Sequence, residues 1–391
     1  MDKEQLLEDL FRAYYDARKN KRNTMNQLRF EINFEQELFL LYDDIMQRSY
    51  VPKPSICFIV DYPVKREIFA ADFRDRVVHH LLYNYLNPVL EKLFIDDSYS
   101  CRKGKGTLFG IHRIEQFIKE CSGNYTKDCY ILKLDIRGYF MSINKQLLWK
   151  QLQSMLKDFE NKNFSNSNDF KDMLFWLLKI VIFHDSRDNC IVKGNKSDWE
   201  GLPLSKSLFH SPENCGLPIG NLTSQLFSNV YLHDFDQYVK NDLGVKYYGR
   251  YVDDFVIIHS DKEVLKKMVL QLGSHLKKAL CLELHPKKIY LQHYSKGVSF
   301  LGSVIKPHRL YIANKTKSSF LRALKACGEE LAAVDTKLTR EKVRARINSY
   351  LGIMQHFKCY NIKRKYLYEK PHQLYQYGYF TNGFMSYKLD G

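Results

Sequence analysis

Apolar residues recur at helical spacing over residues 3 to 20 (Leu6, Leu7, Leu10, Phe11, Tyr14) and 33 to 48 (Leu38, Leu41, Ile45). This predicts two helices, with the basic run Lys19-Asn-Lys-Arg22 as a charged loop between them. A period of two then takes over: Ile56–Val60 and Arg66–Ala70 predict a β-hairpin about Pro63, followed by a helix over about 72 to 93. A strand over 129 to 136 carries Asp135 at the end of the apolar run Tyr130–Leu134. Residues 157 to 215 are rich in Asn, Ser and Lys around one apolar helix near 172 to 184, the pattern of an insertion on the main scaffold. Helical spacing returns over 222 to 239. Two aromatic and β-branched runs, 246 to 251 and 255 to 258, then flank Asp253-Asp254, which predicts a hairpin with the aspartates at its turn. A helix over 261 to 280, short strands near 281 to 305 and basic helices complete the chain, with no internal repeat.

The turn placement changes what the acidic pair can do. Neighbouring side chains on a straight strand point to opposite faces, so two adjacent carboxylates reach one ion only where a tight turn relaxes that alternation. Asp-Asp is also an ordinary turn sequence, and a Tyr-x-Asp-Asp arises by chance in a chain of this composition about one time in ten. The pair acquires chemical meaning from Asp135, a second strand-end carboxylate that the order of elements can bring beside it. Three carboxylates from two elements are the hard-oxygen set that holds paired Mg²⁺ for nucleotidyl transfer, with Mn²⁺ as a substitute.

Composition narrows the partner. A formal net charge of +16 predicts an anionic ligand, and nucleic acid is the first candidate because Lys and Arg gain affinity by releasing counterions from phosphates. The excess is concentrated: residues 301 to 391 hold 17 Lys or Arg against 6 Asp or Glu. The nine cysteines are scattered without a Cys-x-x-Cys pair, which supports neither a disulfide framework nor a zinc site and predicts a reduced, cytoplasmic setting. No run approaches a membrane span, and the N-terminus lacks the charged-then-apolar form of a signal peptide.

Three segments, Lys133-Leu-Asp-Ile-Arg-Gly-Tyr-Phe140, Leu217-Pro-Ile-Gly-Asn-Leu-Thr-Ser-Gln225 and Tyr251-Val-Asp-Asp254, resemble the successive A, B and C motifs of reverse transcriptases in order and spacing. The similarity extends through Arg66–Arg76, Ser98–Gly106, Leu284–Lys288, Phe300–Gly302 and Ile347–Gly352. It implies an α+β right-hand polymerase: an N-terminal helical extension over 1–50, fingers over 51–128, a palm over 129–305 carrying the 157–215 insertion, and a basic helical thumb over 306–391. It also implies a chain that ends with the thumb, without an intron-type maturase or endonuclease domain.

The resemblance assigns roles position by position. Asp135, Asp253 and Asp254 hold the metals, and Lys288 falls where a lysine protonates pyrophosphate. Phe140 matches the aromatic residue that collides with a ribonucleotide 2′-hydroxyl, with Ile219 and Gly220 beside the incoming dNTP. Lys65 and Arg66 match cations that grip the triphosphate. Arg102, Lys103 and Lys105, interleaved with glycines, suit a template or a dNTP phosphate contact. Ser224 and Gln225 fall on nucleic acid, as do Lys363, Arg364 and Lys365 in the thumb, near Arg344 and Arg346. Phe300, Leu301 and Gly302 match the primer grip, where the backbone carries the contact.

Motif B departs from the common pattern. Most reverse transcriptases have Gln before the glycine, whereas this chain has Ile219-Gly220-Asn221 and Ser224-Gln225; with Ser197-Asp-Trp-Glu-Gly-Leu-Pro203, this wording is similar to reverse transcriptases of diversity-generating retroelements. That likeness implies error-prone, adenine-mutagenic cDNA synthesis from a retroelement template RNA. The partners it implies are the RNA and RNA–cDNA duplex, dNTPs, and a small basic accessory protein that assembles as a ring. A retron-like or phage-defence reverse transcriptase stands as the alternative within the class. From another class, the alternative is a catalytically silent RNA-binding scaffold, against which the retained aspartate triad argues.

Overall fold

The structure, a computed structural model, describes residues 3–19, 24–61, 64–157, 167–369, 373–381 and 383–390. The chain forms two compact units. One comprises Met1–Gly106, Lys133–Ile257 and Lys266–Ile289; the other comprises Thr107–Leu132, Ile258–Leu265 and Tyr290–Gly391.

The first unit opens with helices α1 (Lys3–Arg18), α2 (Met25–Ile32) and α3 (Phe34–Met46). The apolar stripes expected for α1 and α3 are buried, at Leu6 and Leu10 and at Leu38, Leu41 and Ile45. Helix α2 falls where no helix was expected. Its only fully buried positions are Gln27 and Phe30, too few apolar residues to make a periodic signal. Of the basic loop, 20–22 lie outside the described residues.

Strands β1 (Ile56–Val60) and β2 (Arg66–Ala70) pair antiparallel from Ile56↔Ala70 to Val60↔Arg66, as the alternation predicts; Pro63 lies outside the described residues. Helix α4 (Phe73–Leu93) starts at Asp72, whose side chain accepts from the Arg74 amide and so satisfies an end-of-helix donor.

After α5 (Thr107–Cys121), strand β3 (Tyr130–Asp135) leads into α6 (Tyr139–Ser142), α7 (Lys145–Met155) and α8 (Ser167–Phe183). Strand β4 (Ile191–Val192) pairs parallel with β1, so the polar 157–215 stretch supplies a strand to the β1–β2 sheet. Helix α9 (Leu222–Tyr231) and α10 (His233–Gln237) continue through a wider turn at 238–242. Strands β5 (Tyr247–Tyr251) and β6 (Asp254–His259) form the acidic hairpin, and α11 (Lys262–Leu280) precedes β7 (Tyr290–His293). Strands β3 and β6, the carriers of Asp135 and Asp254, are neighbours in one sheet.

In the second unit, to which α5 and β7 also belong, β8 (Val298–Phe300), β9 (Ser303–Lys306) and β10 (Arg309–Ile312) make an antiparallel meander. Helices α12 (Asn314–Ala333) and α13 (Lys337–Met354) bury Phe320, Leu324, Cys327 and Leu331 against Val343, Ile347, Leu351 and Met354. The basic residues thus sit outside a regular apolar seam. Helix α14 (Tyr360–Lys363) follows, and then the expectation of helices to the end fails. Strands β11 (Gly378–Thr381) and β12 (Ser386–Leu389) pair antiparallel, and Tyr387 joins the same core. The aromatic run at 375–380 favours strand, and its partner strand β12 packs on α13 through the buried Tyr387.

Candidate active site

Asp135 is delivered by the apolar alternation of β3 to the end of the strand, where it is 8% exposed. Two backbone bonds hold that end: the His285 amide donates to the Asp135 carbonyl at 2.8 Å, and the Ile136 amide to the Asp253 carbonyl at 3.3 Å. The chain then turns through Gly138 at φ 56°. A Cβ there would lie 2.6 Å from the Ser205 carbonyl oxygen, so only glycine fits.

The β5–β6 hairpin closes over two residues, Val252 and Asp253. Such turns require positive φ, and here it falls on a β-branched residue: Val252 has φ 57°. Asp253 sits in the turn and Asp254 starts β6, so the two carboxylates escape strand alternation as the sequence predicts.

The electrostatics record the convergence. Asp253 is pushed up to about 6, first by burial, then by the charges of Asp135 and Asp254. Burial also raises Asp254, against the pull of Lys133, whose Nζ lies 3.3 Å from its Oδ1. Lys288 Nζ donates to Asp135 Oδ2 at 2.7 Å. Two lysine ammonium groups therefore occupy carboxylate oxygens, while among the described residues Asp253 makes no ion pair as close as these. Among the described residues, no group of three or more His, Cys, Asp or Glu stands in ready metal-binding geometry. The donor set is nonetheless the hard-oxygen kind that Mg²⁺ prefers, and the unmet charge at Asp253 suits a divalent ion.

Motif B is fastened to β2 and to the segment that follows Asp135. The Phe69 amide donates to the Ile219 carbonyl at 2.9 Å, the Ala71 amide to Asn221 Oδ1 at 3.1 Å, and the Leu217 amide to the Phe140 carbonyl at 2.9 Å. Phe140 and Ile219 are half-buried and pack on one small core of Cys57, Phe69, Met141 and Leu208. Gly220 has φ 128°, and a Cβ there would meet Ile68 and the Phe69 carbonyl at 3.0–3.1 Å.

Other expected contacts separate by exposure. Arg66 is exposed, whereas Lys65 Nζ already donates to the Glu200 carbonyl at 2.8 Å. Arg102 corrects the reading of the 102–105 loop as a run of phosphate contacts. Its buried guanidinium bonds Glu91 at 2.8 Å and the Ile95 and Ser98 carbonyls, leaving no fork for a phosphate. Lys105 is bonded to Asp96, and Lys103 alone of the three is exposed. Ser224 is a second correction, buried within α9, while Gln225 is exposed. Lys363 is a third: it is 6% exposed and donates to the Phe384 carbonyl at 3.3 Å, so its charge serves the second unit's own packing. Arg364 and Lys365 are exposed, with Arg364 paired to Glu369 at 3.1 Å. Arg344 and Arg346 pair with Glu341 and Glu330. Phe300 is core at 1% exposure; Leu301 (φ 49°) and Gly302 (φ 82°) turn the chain after it, and the Gly302 carbonyl accepts from the Ala313 amide.

One structural residue went unread. Glu67 is buried on β2 and accepts from Trp199 Nε1 at 2.6 Å, Ser207 Oγ at 2.8 Å and the Leu208 amide at 2.5 Å. The signal was available, since the alternation that buries Phe69 places Glu67 on the same inward face. Replacing Glu67 with Ala strands three donors, and we expect unfolding free energy to fall by about 3 kcal/mol or more, with Glu67→Gln intermediate. Urea denaturation checks this; a loss below about 1 kcal/mol would mean that water replaces the carboxylate.

Residues 52–305 match the family described as reverse transcriptase (RNA-dependent DNA polymerase), and the chain belongs to that family. It is an RNA-directed DNA polymerase, and its mixed helix and sheet architecture is the right-hand polymerase fold. Protein YkfC of Escherichia coli (strain K12) is 22% identical over 342 residues, covering 79% of this chain and 80% of that protein. The putative COX1/OXI3 intron 2 protein of Saccharomyces cerevisiae is 22% identical over 341 residues, covering 76% of this chain and 36% of that protein. Among solved structures, apo telomerase from Candida tropicalis truncated from its C-terminal domain has a TM-score of 0.45 at 15% identity, covering 69% of this chain and 59% of that one. Telomerase from Candida albicans with a TWJ fragment of telomeric RNA has a TM-score of 0.44 at 12% identity, covering 86% and 64%. No helix among the described residues is long and apolar enough to cross a membrane.

Proposed function

We propose that this chain is the mutagenic polymerase of a diversity-generating retroelement, copying a template RNA into cDNA whose errors fall opposite adenine. The observation that carries the subtype is Ile219, which places an apolar, branched side chain on the same small core as Phe140, where most of the family has an amide. Without amide donors and acceptors next to the nascent pair, a mispair loses less relative to a match, so discrimination falls.

In this reading the primer 3′-hydroxyl attacks the α-phosphorus of the dNTP, a P–O bond forms, and the bond to pyrophosphate breaks. Asp135, Asp253 and Asp254 would hold two divalent ions, which supply Lewis acidity to the attacking and leaving oxygens. Arg66 and Lys65 hold the triphosphate; Lys288, whose Nζ donates to Asp135 Oδ2, stands at the carboxylates, where it would deliver a proton to pyrophosphate. Phe140 excludes the ribonucleotide 2′-hydroxyl. Lys103, Gln225, Arg364 and Lys365 are the exposed candidates for nucleic-acid contact, and the backbone at Leu301–Gly302 for the primer grip. The partners are the retroelement RNA, dNTPs and a small basic ring-forming protein, in the cytoplasm.

The test is to sequence cDNA made on template RNA with the accessory protein present. Substitutions should concentrate opposite adenine, and Ile219→Gln should reduce them about tenfold, the scale of one added or lost pairing contact. Errors spread evenly over the four bases, unchanged in Ile219→Gln, would sink the subtype and leave the polymerase assignment standing.

A further inference from the structure

We infer that Arg250 is the positioning residue of the acidic hairpin, holding Val252 in its left-handed conformation so that Asp253 faces the metals. Arg250 lies two residues before the turn and is fully buried, at 0% exposure. Its guanidinium forks onto Asp236 of α10, with Nε to Oδ1 at 2.7 Å and Nη2 to Oδ2 at 2.6 Å. Tyr248 Oη donates to the same Asp236 Oδ1 at 2.6 Å. The free edge of the fork reaches the turn: Nη1 donates to the Val252 carbonyl at 3.0 Å, and Nη2 to Ser98 Oγ at 3.3 Å. The strand itself is pinned at this residue, since the Tyr99 amide donates to the Arg250 carbonyl at 2.9 Å and the Arg250 amide to the Asp97 carbonyl at 2.8 Å.

Two physical facts make this more than packing. A fully buried ion pair adds little to stability compared with apolar residues of the same volume, so its presence calls for another role. A β-branched residue at φ 57° is strained, and such strain persists only where the surroundings over-determine it. The guanidinium supplies that constraint, because only its fork can hold Asp236 and still reach the Val252 carbonyl; a lysine ammonium offers no second arm. Released, Val252 relaxes toward negative φ, the turn rotates, and the Asp253 carboxylate moves away from Asp135 while the folded unit persists.

The inference rests on Asp253 being a metal ligand, so Asp253→Asn runs as a parallel control. The variants are Arg250→Lys and the neutral pair Arg250→Met with Asp236→Leu, which leaves no uncompensated charge. Mn²⁺ binding is followed by electron paramagnetic resonance on the enzyme with a chain-terminated primer–template and dNTP, alongside Mg²⁺ titration of DNA synthesis. Both variants should bind Mn²⁺ and respond to Mg²⁺ about tenfold more weakly, with the KM for dNTP at saturating Mg²⁺ within about twofold of wild type. Wild-type Mn²⁺ affinity in either folded variant, whether or not its Tm has dropped, overturns the inference. If Asp253→Asn itself binds Mn²⁺ and polymerises normally, the assignment of the metal site has failed instead.

Discussion

Asp253→Asn should abolish Mg²⁺-dependent DNA synthesis and at the same time stabilise the metal-free protein. Loss of a metal ligand removes several kcal/mol of transition-state stabilisation, about a thousandfold or more in rate. The gain in stability follows from the carboxylate's raised folded-state value of about 6, against 3.8 for the ordinary group. A carboxylate raised on folding favours the folded state fully below about pH 4, and that contribution is lost as pH climbs through about 6. At pH 7, with metal chelated, the ionised group therefore destabilises the fold, by on the order of 3 kcal/mol. Asparagine removes that penalty. Denaturant midpoints in EDTA should show the variant ahead of wild type at pH 7, and the gap should narrow as pH falls through about 6 and close by about pH 4. A variant less stable than wild type at pH 7 would mean that the Asp253 carboxylate is satisfied in the metal-free fold. Retained synthesis would remove it from the reaction altogether.

Phe140→Ala should open the nucleotide site to ribonucleotides. The ring is half-buried on the core that also carries Ile219, and its backbone carbonyl is held by the Leu217 amide, so it cannot yield to an extra hydroxyl by swinging away. Exclusion by a fixed surface is lost when that surface is cut back, and GTP incorporation relative to dGTP should rise about a hundredfold. The variant should lose about 1–2 kcal/mol of stability from the vacated contact, too little to unfold the unit. Single-nucleotide extension with matched dGTP and GTP measures the ratio. If discrimination is unchanged while stability drops, Phe140 packs the core and does not select the sugar.

How far the chain could be read depended on how local each signal was. The β1–β2 hairpin, α4 and β3 fall where alternation and helical spacing predict them, because each needs only neighbouring residues to declare a face. Helix α2 and the β11–β12 hairpin were missed for the complementary reason: one carries too few apolar positions, and the other is held by burial of Tyr387 against distant helices. The basic loop at 102–105 shows the limit for function. Arg102, Lys103 and Lys105 look alike in sequence, yet Glu91, Ile95, Ser98 and Asp96 consume two of the three.

By itself, then, the sequence determined that a strand ends in Asp135 and that a hairpin carries Asp253-Asp254 at its turn, since strand period and turn geometry are properties of a few consecutive residues. It also determined the order of the motifs that places the chain among reverse transcriptases. Only the tertiary structure decided which charges are working surface and which are structural. Glu67 finds Ser207 across 140 residues, Lys288 reaches Asp135 across 153, and Arg250 closes on Asp236 and Val252 out of solvent. A charge tolerates burial only when partners meet it, and those partners exist only once the chain has folded.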